Sequence, residues 1–248
     1  MDSNVYEVNL AERLVRYRFL YPLTYHFFKD NIALSDSTEA DIVLPGIAFD
    51  EAKSKMPPET VNPYIEYRLL SKYSSLYLLA YNSCLYHAMS FIFKGKAWLL
   101  TAPSGTGKST QYQNWIKSYP DEITMISGDM PVLKIRDAGK ITVHPSPWNG
   151  KEGYRSLNSA ELGGIIYLEQ SDHNSLEPFP VNEALCRLFK QYIGYADTKD
   201  QIQELIRFSN VLFSSVPVWL FKNTGSNEST VLLRKHLLDS FMKEERVE

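Results

Sequence analysis

A run of small, hydroxyl-bearing and basic residues near the middle of the chain has the spacing of a phosphate-binding loop. The run is TAPSGTGKST, from Thr101 to Thr110. Glycines at two positions of the loop let the backbone turn and approach an anion closely, so that successive N–H groups surround it. Lys108 can then reach the β- and γ-phosphates of a nucleoside triphosphate, and the Ser109 hydroxyl can bind Mg²⁺. The predicted cofactors are ATP or another nucleoside triphosphate, and Mg²⁺. The predicted nucleotide-binding residues are Ser104, Gly105, Thr106, Gly107, Lys108, Ser109 and Thr110.

The residues on either side support this interpretation. Ala97 to Leu100 is an apolar run typical of a buried strand, and Gln111 to Tyr119 is compatible with a helix. A phosphate loop needs this order, because the helix N-terminus adds its partial positive charge at the anion. Ala102 stands where the common pattern has a glycine, and the turn tolerates alanine if φ there stays negative. The alternative is a surface loop that contains these residues by chance.

Two acidic residues follow predicted strands and are candidates for metal binding. Asp129 comes after the short buried run Ile123 to Ile126, and Glu169 comes after Gly164 to Leu168. A carboxylate at the end of a strand near a phosphate loop is where Mg²⁺ is organised in phosphoryl transfer. We expect Asp129 to be both a metal ligand and a catalytic residue. Glu169 ranks below it, because a glutamate at a strand end is often only exposed.

An irregular segment from Pro145 to Arg155 is a candidate for a functional loop. Lys151, flanked by glycines, could move over the phosphates as a catalytic lid residue or could be a solvated loop lysine. Arg155 is a weaker candidate for the same role. Trp148 either stacks on a substrate or anchors the loop, and anchoring is favoured. His144 and His173 have no partner at ligand spacing.

The amino-acid composition excludes several classes of protein. The chain has 248 residues, 44% hydrophobic and 22% charged, with a formal net charge of −3. These values are ordinary for a globular protein and give no electrostatic signature of nucleic-acid or membrane binding. Cys84 and Cys186 lie in apolar surroundings without ligand spacing, which predicts two buried thiols in a reducing compartment, the cytoplasm. No apolar run reaches the length that spans a bilayer.

The order of predicted elements indicates an α/β (α+β) fold, with a mixed, β-rich sheet and flanking helices around the phosphate loop. Residues 1–60 contain short β-type runs, Val5 to Leu10 and Asp41 to Pro45, and predict a small β-rich extension. The proline-rich stretch Ser54 to Pro63 is the boundary candidate, and residues 64–248 form the predicted nucleotide-binding domain.

Within that domain the periodicity predicts a helix from about Tyr64 to Tyr86, then two adjacent strands that lead into the phosphate loop. Pro131 to Ile135 and Lys140 to Val143 predict a hairpin, and Ser175 to Phe179 a strand beside Gly164 to Leu168. Helices are predicted over Val181 to Ile193, Lys199 to Leu212 and Glu228 to Lys243, with a strand over Val216 to Phe221.

Taken together, these motifs resemble the HPr kinase/phosphorylase family and its relatives, in particular the small stand-alone bacterial proteins of that kind. The resemblance is carried by His87 to Phe91, the strand ending at Asp129, the basic glycine-containing loop, and Tyr167 to Glu169. The loop sequence SGTGKST is similar to that of PEP carboxykinase, which shares the core fold. The resemblance covers roughly residues 85 to 170.

The resemblance implies roles for individual residues. Lys108 and Ser109 would act on phosphate and metal, and Asp129 falls in the place of a pair of aspartates that serve as general base and metal ligand. Here Gly128 or Met130 replaces the second member of that pair. His87 matches a histidine near the acidic pair, which makes it a catalytic candidate. Its alternative is a histidine satisfied at a helix–strand junction.

The resemblance has limits. The HPr-recognising N-terminal domain of the full-length kinases has no counterpart in residues 1–84, so HPr itself is not the expected substrate. The chain is about half the length that the substrate domain of PEP carboxykinase requires, and decarboxylation is set aside.

Two functions remain from the sequence. The first is an ATP-dependent kinase acting on a hydroxyl-bearing acceptor, in a peptide, a protein or a small molecule, and the second is a nucleotide-binding regulatory or scaffold module that has lost its base. A cleft beside Asp129 that admits a hydroxyl would favour the kinase, and a cleft filled by side chains would favour the module. Whether the chain forms a homo-oligomer is left open.

Overall fold

The computed structural model describes residues 4–150, 152–154, 156–194 and 196–244 of the chain. It has a mixed α/β fold with two sheets. The strands are β1 Val5–Leu10, β2 Arg13–Arg18, β3 Ala33–Leu34, β4 Ile42–Val43, β5 Ser83–Leu85, β6 Met89–Phe93, β7 Lys96–Thr101, β8 Ile123–Ser127, β9 Val132–Ile135, β10 Ile141–His144, β11 Ala160–Gln170, β12 Ser175–Pro178 and β13 Val218–Asn223. The helices are α1 Gly46–Ser54, α2 Asn62–Leu79, α3 Lys108–Ser118, α4 Val181–Phe189, α5 Lys199–Ser215 and α6 Asn227–Glu244, with 3₁₀ segments at Pro22–Asn31 and Asp137–Gly139.

The larger sheet has the strand order β5-β9-β10-β11-β7-β6-β8, and β13 pairs with both β11 and β12. β7 and β13 are both parallel to β11. β6 is antiparallel to β7 and to β8, so β8 runs in the same direction as β7. The carboxyl ends of β7, β8 and β11 therefore lie at one edge of the sheet, where α/β proteins place their ligands.

Burial on both faces explains why the central strands are apolar throughout. β7 and β11 read as nearly continuous buried runs, and helices cover the sheet on its two sides. One core contains Leu99, Ile165 and Phe208 of α5, and another contains Leu100, Trp115 of α3 and Leu233 of α6. The phosphate-loop strand is thus held from both faces.

The smaller sheet has the order β3-β1-β2-β4 and packs with α2. Their common core also includes Met130, Val132 and Trp148 from the larger part of the chain. Glu66 of α2 is fully buried and accepts hydrogen bonds from the backbone N–H groups of Leu20 (2.6 Å) and Tyr21 (3.0 Å). This carboxylate ties the N-terminal segment to α2, and burial raises its pKa.

The predicted mixed, β-rich fold with flanking helices is confirmed, but some elements differ from the prediction. The helix predicted to reach Tyr86 ends at Leu79, and Ser83–Leu85 forms β5 instead, because it pairs with β9 and is fully buried there. β12 pairs with β13 and not with β11, and α1 was not predicted.

The expectation of two buried thiols holds for one of them. Cys84 is buried, but Cys186 is exposed. In α4 the buried positions are Ala184 and Leu188, which lie one turn apart on the same face. Cys186, between them in sequence, is on the other face of the helix.

Candidate functional site

The predicted strand, loop and helix occur in that order around residues 101–108. β7 ends at Thr101 and α3 begins at Lys108. Gly105 and Gly107 have φ of 81° and 111°, the left-handed region in which a side chain is strained. Ala102 is buried and is not among the residues with positive φ, so alanine is accommodated at this position as expected.

The first turn of α3 offers backbone donors to an anion. Gly107 is the N-cap residue, and no side chain caps the helix. The N–H groups of the first turn have no partner within the helix, and the helix dipole adds partial positive charge to them. A phosphate is the natural ligand for such a helix start when it follows a glycine-containing loop.

Lys108 points back over the loop. Its Nζ donates to the carbonyl oxygens of Ala102 (2.9 Å) and Pro103 (3.3 Å), and the residue is 8% exposed. Burial lowers the pKa of Lys108, and the charge of Asp129 offsets part of that effect. Among the described residues this buried ammonium donates to carbonyl groups alone, and it can exchange them for phosphate oxygens.

Hydrogen bonds to α6 fix the position of the start of α3. The Gln111 amide donates to the hydroxyl of Thr230 (3.0 Å) and accepts from the hydroxyl of Ser229 (3.1 Å), and all three residues are buried. These buried hydrogen bonds hold the helix, and therefore the loop, in one position.

A single cleft, with a volume of about 1200 Å³, brings most of the predicted site residues together. From the phosphate loop and the first turn of α3 it is lined by Ser104, Gly105, Gly107, Lys108, Ser109 and Thr110. Asp129 and His87 line the same cleft. Thr106 is not part of this lining, because its hydroxyl turns back to donate to the Pro103 carbonyl (2.7 Å) and supports the loop.

Asp129 follows the end of β8, as predicted, and its backbone is held on both sides. Its carbonyl accepts from the N–H of Ala88 (2.8 Å), and the N–H of the next residue, Met130, donates to the Trp148 carbonyl (3.1 Å). Gly150 passes so close that a Cβ there would lie 3.2 Å from the Cβ of Asp129. The backbone and Cβ of Asp129 therefore have a fixed position beside the cleft.

His87 connects this carboxylate to α4 and its following turn. Its Nε2 lies 3.3 Å from Oδ1 of Asp129, and its Nδ1 lies 3.0 Å from Oε1 of Gln191. The amide nitrogen of Gln191 donates to the Arg187 carbonyl, so the oxygen faces the imidazole and Nδ1 carries the proton. Nε2 then faces Oδ1 of Asp129, and the two side chains form an ion pair when Nε2 also carries a proton.

No second carboxylate stands beside Asp129 in the sequence, and the structure gives a steric reason. A Cβ at Gly128 would lie 2.8 Å from the Asn149 carbonyl oxygen, closer than real Cβ contacts. The Met130 side chain is buried in the core shared with α2. An acidic side chain at position 128 would displace the loop, and one at 130 would enter the core.

Glu169 lies apart from this group. Its carboxylate forms an ion pair with Arg187 of α4, and it is not among the described residues that line the cleft. In the part of the chain that the structure describes, no three His, Cys, Asp or Glu side chains cluster closely enough to hold a metal ion by themselves. A cation beside Asp129 would need most of its ligands from phosphate oxygens and water.

The loop after β10 is anchored by Trp148, as favoured from the sequence. The indole is fully buried and its Nε1 donates to the Tyr67 carbonyl (2.9 Å). Gly150 and Glu152 line the cleft. Lys151 and Arg155, the two lid candidates, lie outside the described residues.

Some residues of the site were missed by sequence reasoning. Gln191 orients His87, and the segment from Met56 to Thr60, together with Tyr64, Tyr67 and Arg68 of α2, supplies a wall of the cleft. The prolines of this segment predict a linker or an exposed loop, with no role in a site. No spacing in the sequence relates these residues to the phosphate loop, so no local signal could have found them.

Comparisons with known proteins add little to this geometry. No model of a protein family matches the chain, and no curated protein sequence is similar to it. Among solved structures, one similar fold is that of the HPr(Ser) kinase/phosphatase from Coxiella burnetii, with 13% identity and a TM-score of 0.38. That match covers 65% of this chain and 95% of the other. Within the described residues, no helix is both long and apolar enough to cross a membrane.

Proposed function

We propose that the protein is a Mg²⁺-dependent phosphotransferase of the HPr-kinase-like type, which moves the γ-phosphoryl group of a nucleoside triphosphate to a hydroxyl. The observation that carries the proposal is the meeting of two groups in one cleft. The first is the phosphate loop with Lys108, and the second is the Asp129–His87 pair. The loop fits a triphosphate, and the pair fits the proton of an acceptor hydroxyl.

In the proposed step, the acceptor oxygen forms a bond to the γ-phosphorus while the bond from that phosphorus to the β,γ-bridging oxygen breaks. The nucleoside diphosphate leaves with the electron pair of that bond. The hydroxyl proton passes to Asp129, whose Oδ1 can share it with Nε2 of His87. Lys108 and the N–H groups at the start of α3 stabilise the negative charge on the phosphates.

The residues present fit a magnesium ion. Mg²⁺ binds oxygen ligands and is commonly held in nucleotide sites by one or two carboxylates together with phosphates. The Ser109 hydroxyl and the Asp129 carboxylate are the donors that would hold it here. When bound, the ion would neutralise charge on the transferred phosphoryl group. Oδ2 of Asp129 has no hydrogen-bond partner among the described residues. Oδ2 could therefore bind a cation while Oδ1 contacts His87.

The regulatory or scaffold module predicted as the alternative is less well supported. That alternative expects the half of the cleft beside Asp129 to be filled by side chains. The cleft has a volume of about 1200 Å³, larger than the usual 300–1,000 Å³ of a small-molecule pocket. A cleft of this volume favours the binding of two substrates together over the binding of a single nucleotide.

Incubation with γ-labelled ATP and Mg²⁺ against a panel of serine peptides and hydroxyl-bearing metabolites tests the proposal. Label should appear on an acceptor with the wild-type protein. Asp129→Asn should lower the rate by about 10² or more, since a general base contributes about that much. Asp137→Asn, an exposed acid in the hairpin turn, is the matched control and should keep the wild-type rate. Full Mg²⁺-dependent transfer by Asp129→Asn would show the catalytic assignment to be wrong, and Glu169 would be tested next.

A further inference from the structure

Part of the cleft is built by residues that belong neither to the phosphate loop nor to the strand that leads to Asp129. Met56, Pro57 and Thr60 precede α2, and Tyr64, Tyr67 and Arg68 lie on its N-terminal half. We refer to these six residues as the α2 wall. It combines apolar and aromatic surface with one cation, so it is suited to something other than the triphosphate.

The α2 wall is fixed relative to Asp129. The Tyr67 hydroxyl donates to the Pro147 carbonyl (2.8 Å), and the Tyr67 carbonyl accepts from the Trp148 indole. The Trp148 carbonyl in turn accepts from the N–H of Met130, the neighbour of Asp129. This hydrogen-bonded path leads from the wall to the catalytic carboxylate, so a molecule held on the wall would have a defined position relative to it.

Arg68 is the cation of the α2 wall, and its guanidinium has no hydrogen-bond or ion-pair partner among the described residues. The residue is half-buried. Other arginines pair with carboxylates: Arg136 with Glu12, Arg187 with Glu169 and Arg234 with Glu122. A half-buried guanidinium that faces a cleft without an internal partner is suited to a planar anion, which it can bind with two parallel hydrogen bonds.

A second cation lies in the same cleft. Lys190, directly after α4, is exposed, lines the cleft, and has no partner for its ammonium group in the described part of the chain. Lys108 is committed to the triphosphate and Asp129 to the reaction. Of the other lining residues that the structure describes, Arg68 and Lys190 are positive and Glu152 is negative, so their formal charges sum to about +1.

We propose that the acceptor carries a carboxylate near its hydroxyl, and that Arg68 binds this carboxylate while Lys190 adds to the favourable potential. This inference rests on the proposed function, because it names the substrate class of the same site. The Arg68 guanidinium can bind one carboxylate, and the aromatic rings of Tyr64 and Tyr67 offer a surface for the carbon atoms beside it. The carboxylate can belong to an acidic residue of a serine-containing peptide or to a free hydroxy acid, since both present the same groups.

The test uses two sets of hydroxyl-bearing acceptors, and the members of the peptide set differ in the charge beside the serine. Heptapeptides with a central serine, flanked by glutamate, alanine or lysine, represent the peptide source, and L-serine and L-malate represent the free acids. Transfer of label from γ-labelled ATP is measured for the wild-type protein, Arg68→Gln and Arg68→Glu. Arg207→Gln, on the exposed face of α5, is the matched control, because it removes a guanidinium outside the cleft.

The wild-type protein should prefer the glutamate peptide or a free hydroxy acid over the lysine peptide by about tenfold or more, since a charged hydrogen bond contributes about that factor. Arg68→Gln should raise the KM of the acidic acceptor about tenfold, and Arg68→Glu should shift preference toward the lysine peptide. Arg207→Gln should behave as wild type. Equal use of the three peptides without use of the free acids, or an unchanged preference in Arg68→Gln, would overturn the inference.

Binding of the same peptides, labelled with a fluorophore, keeps this inference separate from the proposed function. Anisotropy is measured with Mg²⁺ and a non-hydrolysable ATP analogue, and the free acids are added as competitors. A preference for acidic ligands that depends on Arg68, without transfer to any acceptor, would support the acidic site while contradicting the kinase assignment. Transfer that proceeds without such a preference would contradict the acidic site alone.

Discussion

Nε2 of His87 lies 3.3 Å from Oδ1 of Asp129, and these two side chains reach each other from the approach to β6 and the end of β8. Each is held by its own backbone: the N–H of His87 donates to the Gln191 carbonyl (2.7 Å), and the Asp129 carbonyl accepts from Ala88. The Thr101 hydroxyl at the end of β7 donates to the His87 carbonyl (2.7 Å). The phosphate-loop strand, the histidine and the aspartate therefore form one rigid unit.

His87→Gln should slow phosphoryl transfer by about tenfold to a hundredfold, because Asp129 would lose the group that shares its proton. The effects of His87→Gln and Asp129→Asn should not add, since both act on one proton transfer. A double-mutant cycle on kcat measures this. His26→Gln, an exposed histidine, is the control. Additive losses would mean that His87 and Asp129 act independently.

Lys108→Ala should weaken binding of a nucleoside triphosphate by about tenfold to several hundredfold, since it removes a buried charged donor to the phosphates. Calorimetry with a non-hydrolysable ATP analogue and Mg²⁺ measures the affinity. Lys117→Ala, exposed at the far end of the same helix, should bind like the wild type. Equal affinity in the Lys108 variant would show that the loop does not hold the phosphates as proposed.

Triphosphate binding should depend on pH through Lys108. Burial lowers the pKa of Lys108 in the free protein, so its ammonium loses a proton at a lower pH than that of an exposed lysine. A bound triphosphate favours the charged form, so binding takes up a proton at alkaline pH and the affinity falls as pH rises. Calorimetry in buffers of different ionisation enthalpy, at alkaline pH below the ordinary lysine pKa of 10.5, counts that proton. Lys108→Met should show no such uptake, and uptake that persists in this variant would assign the proton to another group.

Gly128→Ala should destabilise the protein by about 1 to 3 kcal/mol and lower transfer, because overpacking of this size forces a backbone shift. The added Cβ would meet the Asn149 carbonyl oxygen at 2.8 Å, in the loop that holds Asp129 in place. Thermal unfolding and the transfer assay measure the two effects. Gly46→Ala is the matched control, because its Cβ would meet nothing within 4 Å. If Gly128→Ala is as stable and active as Gly46→Ala, the loop is not closely packed on β8.

His144 should make the protein sensitive to acid. Burial, followed by the nearby charge of Arg136, lowers the pKa of His144 from 6.5 to about 4. Its stabilising effect is complete above the unfolded pKa and is lost as pH falls from 6.5 toward 4, because the unfolded chain then binds the extra proton. The loss is at most about 3 kcal/mol. Unfolding by urea at several pH values should show a shallower acid dependence for His144→Gln than for the wild type, and an identical dependence would contradict this role.

The sequence by itself determined the local parts of the site. Glycine at 105 and 107, lysine at 108 and serine at 109, between a run of apolar residues and a helix-compatible run, were enough to predict the strand, the loop and the helix start. Asp129 at the end of β8 was predicted in the same way. These features depend on backbone conformation and hydrophobic periodicity over a few neighbouring residues, which the sequence displays directly.

Only the tertiary structure decided which distant groups meet. In the folded chain His87 contacts Asp129 and Gln191, and Glu169 forms an ion pair with Arg187. The Asn149 carbonyl leaves no room for a side chain at position 128. Residues between Met56 and Arg68 line one wall of the cleft. The tertiary structure also converted the end of a predicted helix into β5, because pairing with β9 outweighed helix propensity there. Such contacts depend on how whole strands and helices pack together. The spacing of residues along the chain does not indicate which distant residues will meet in that packing.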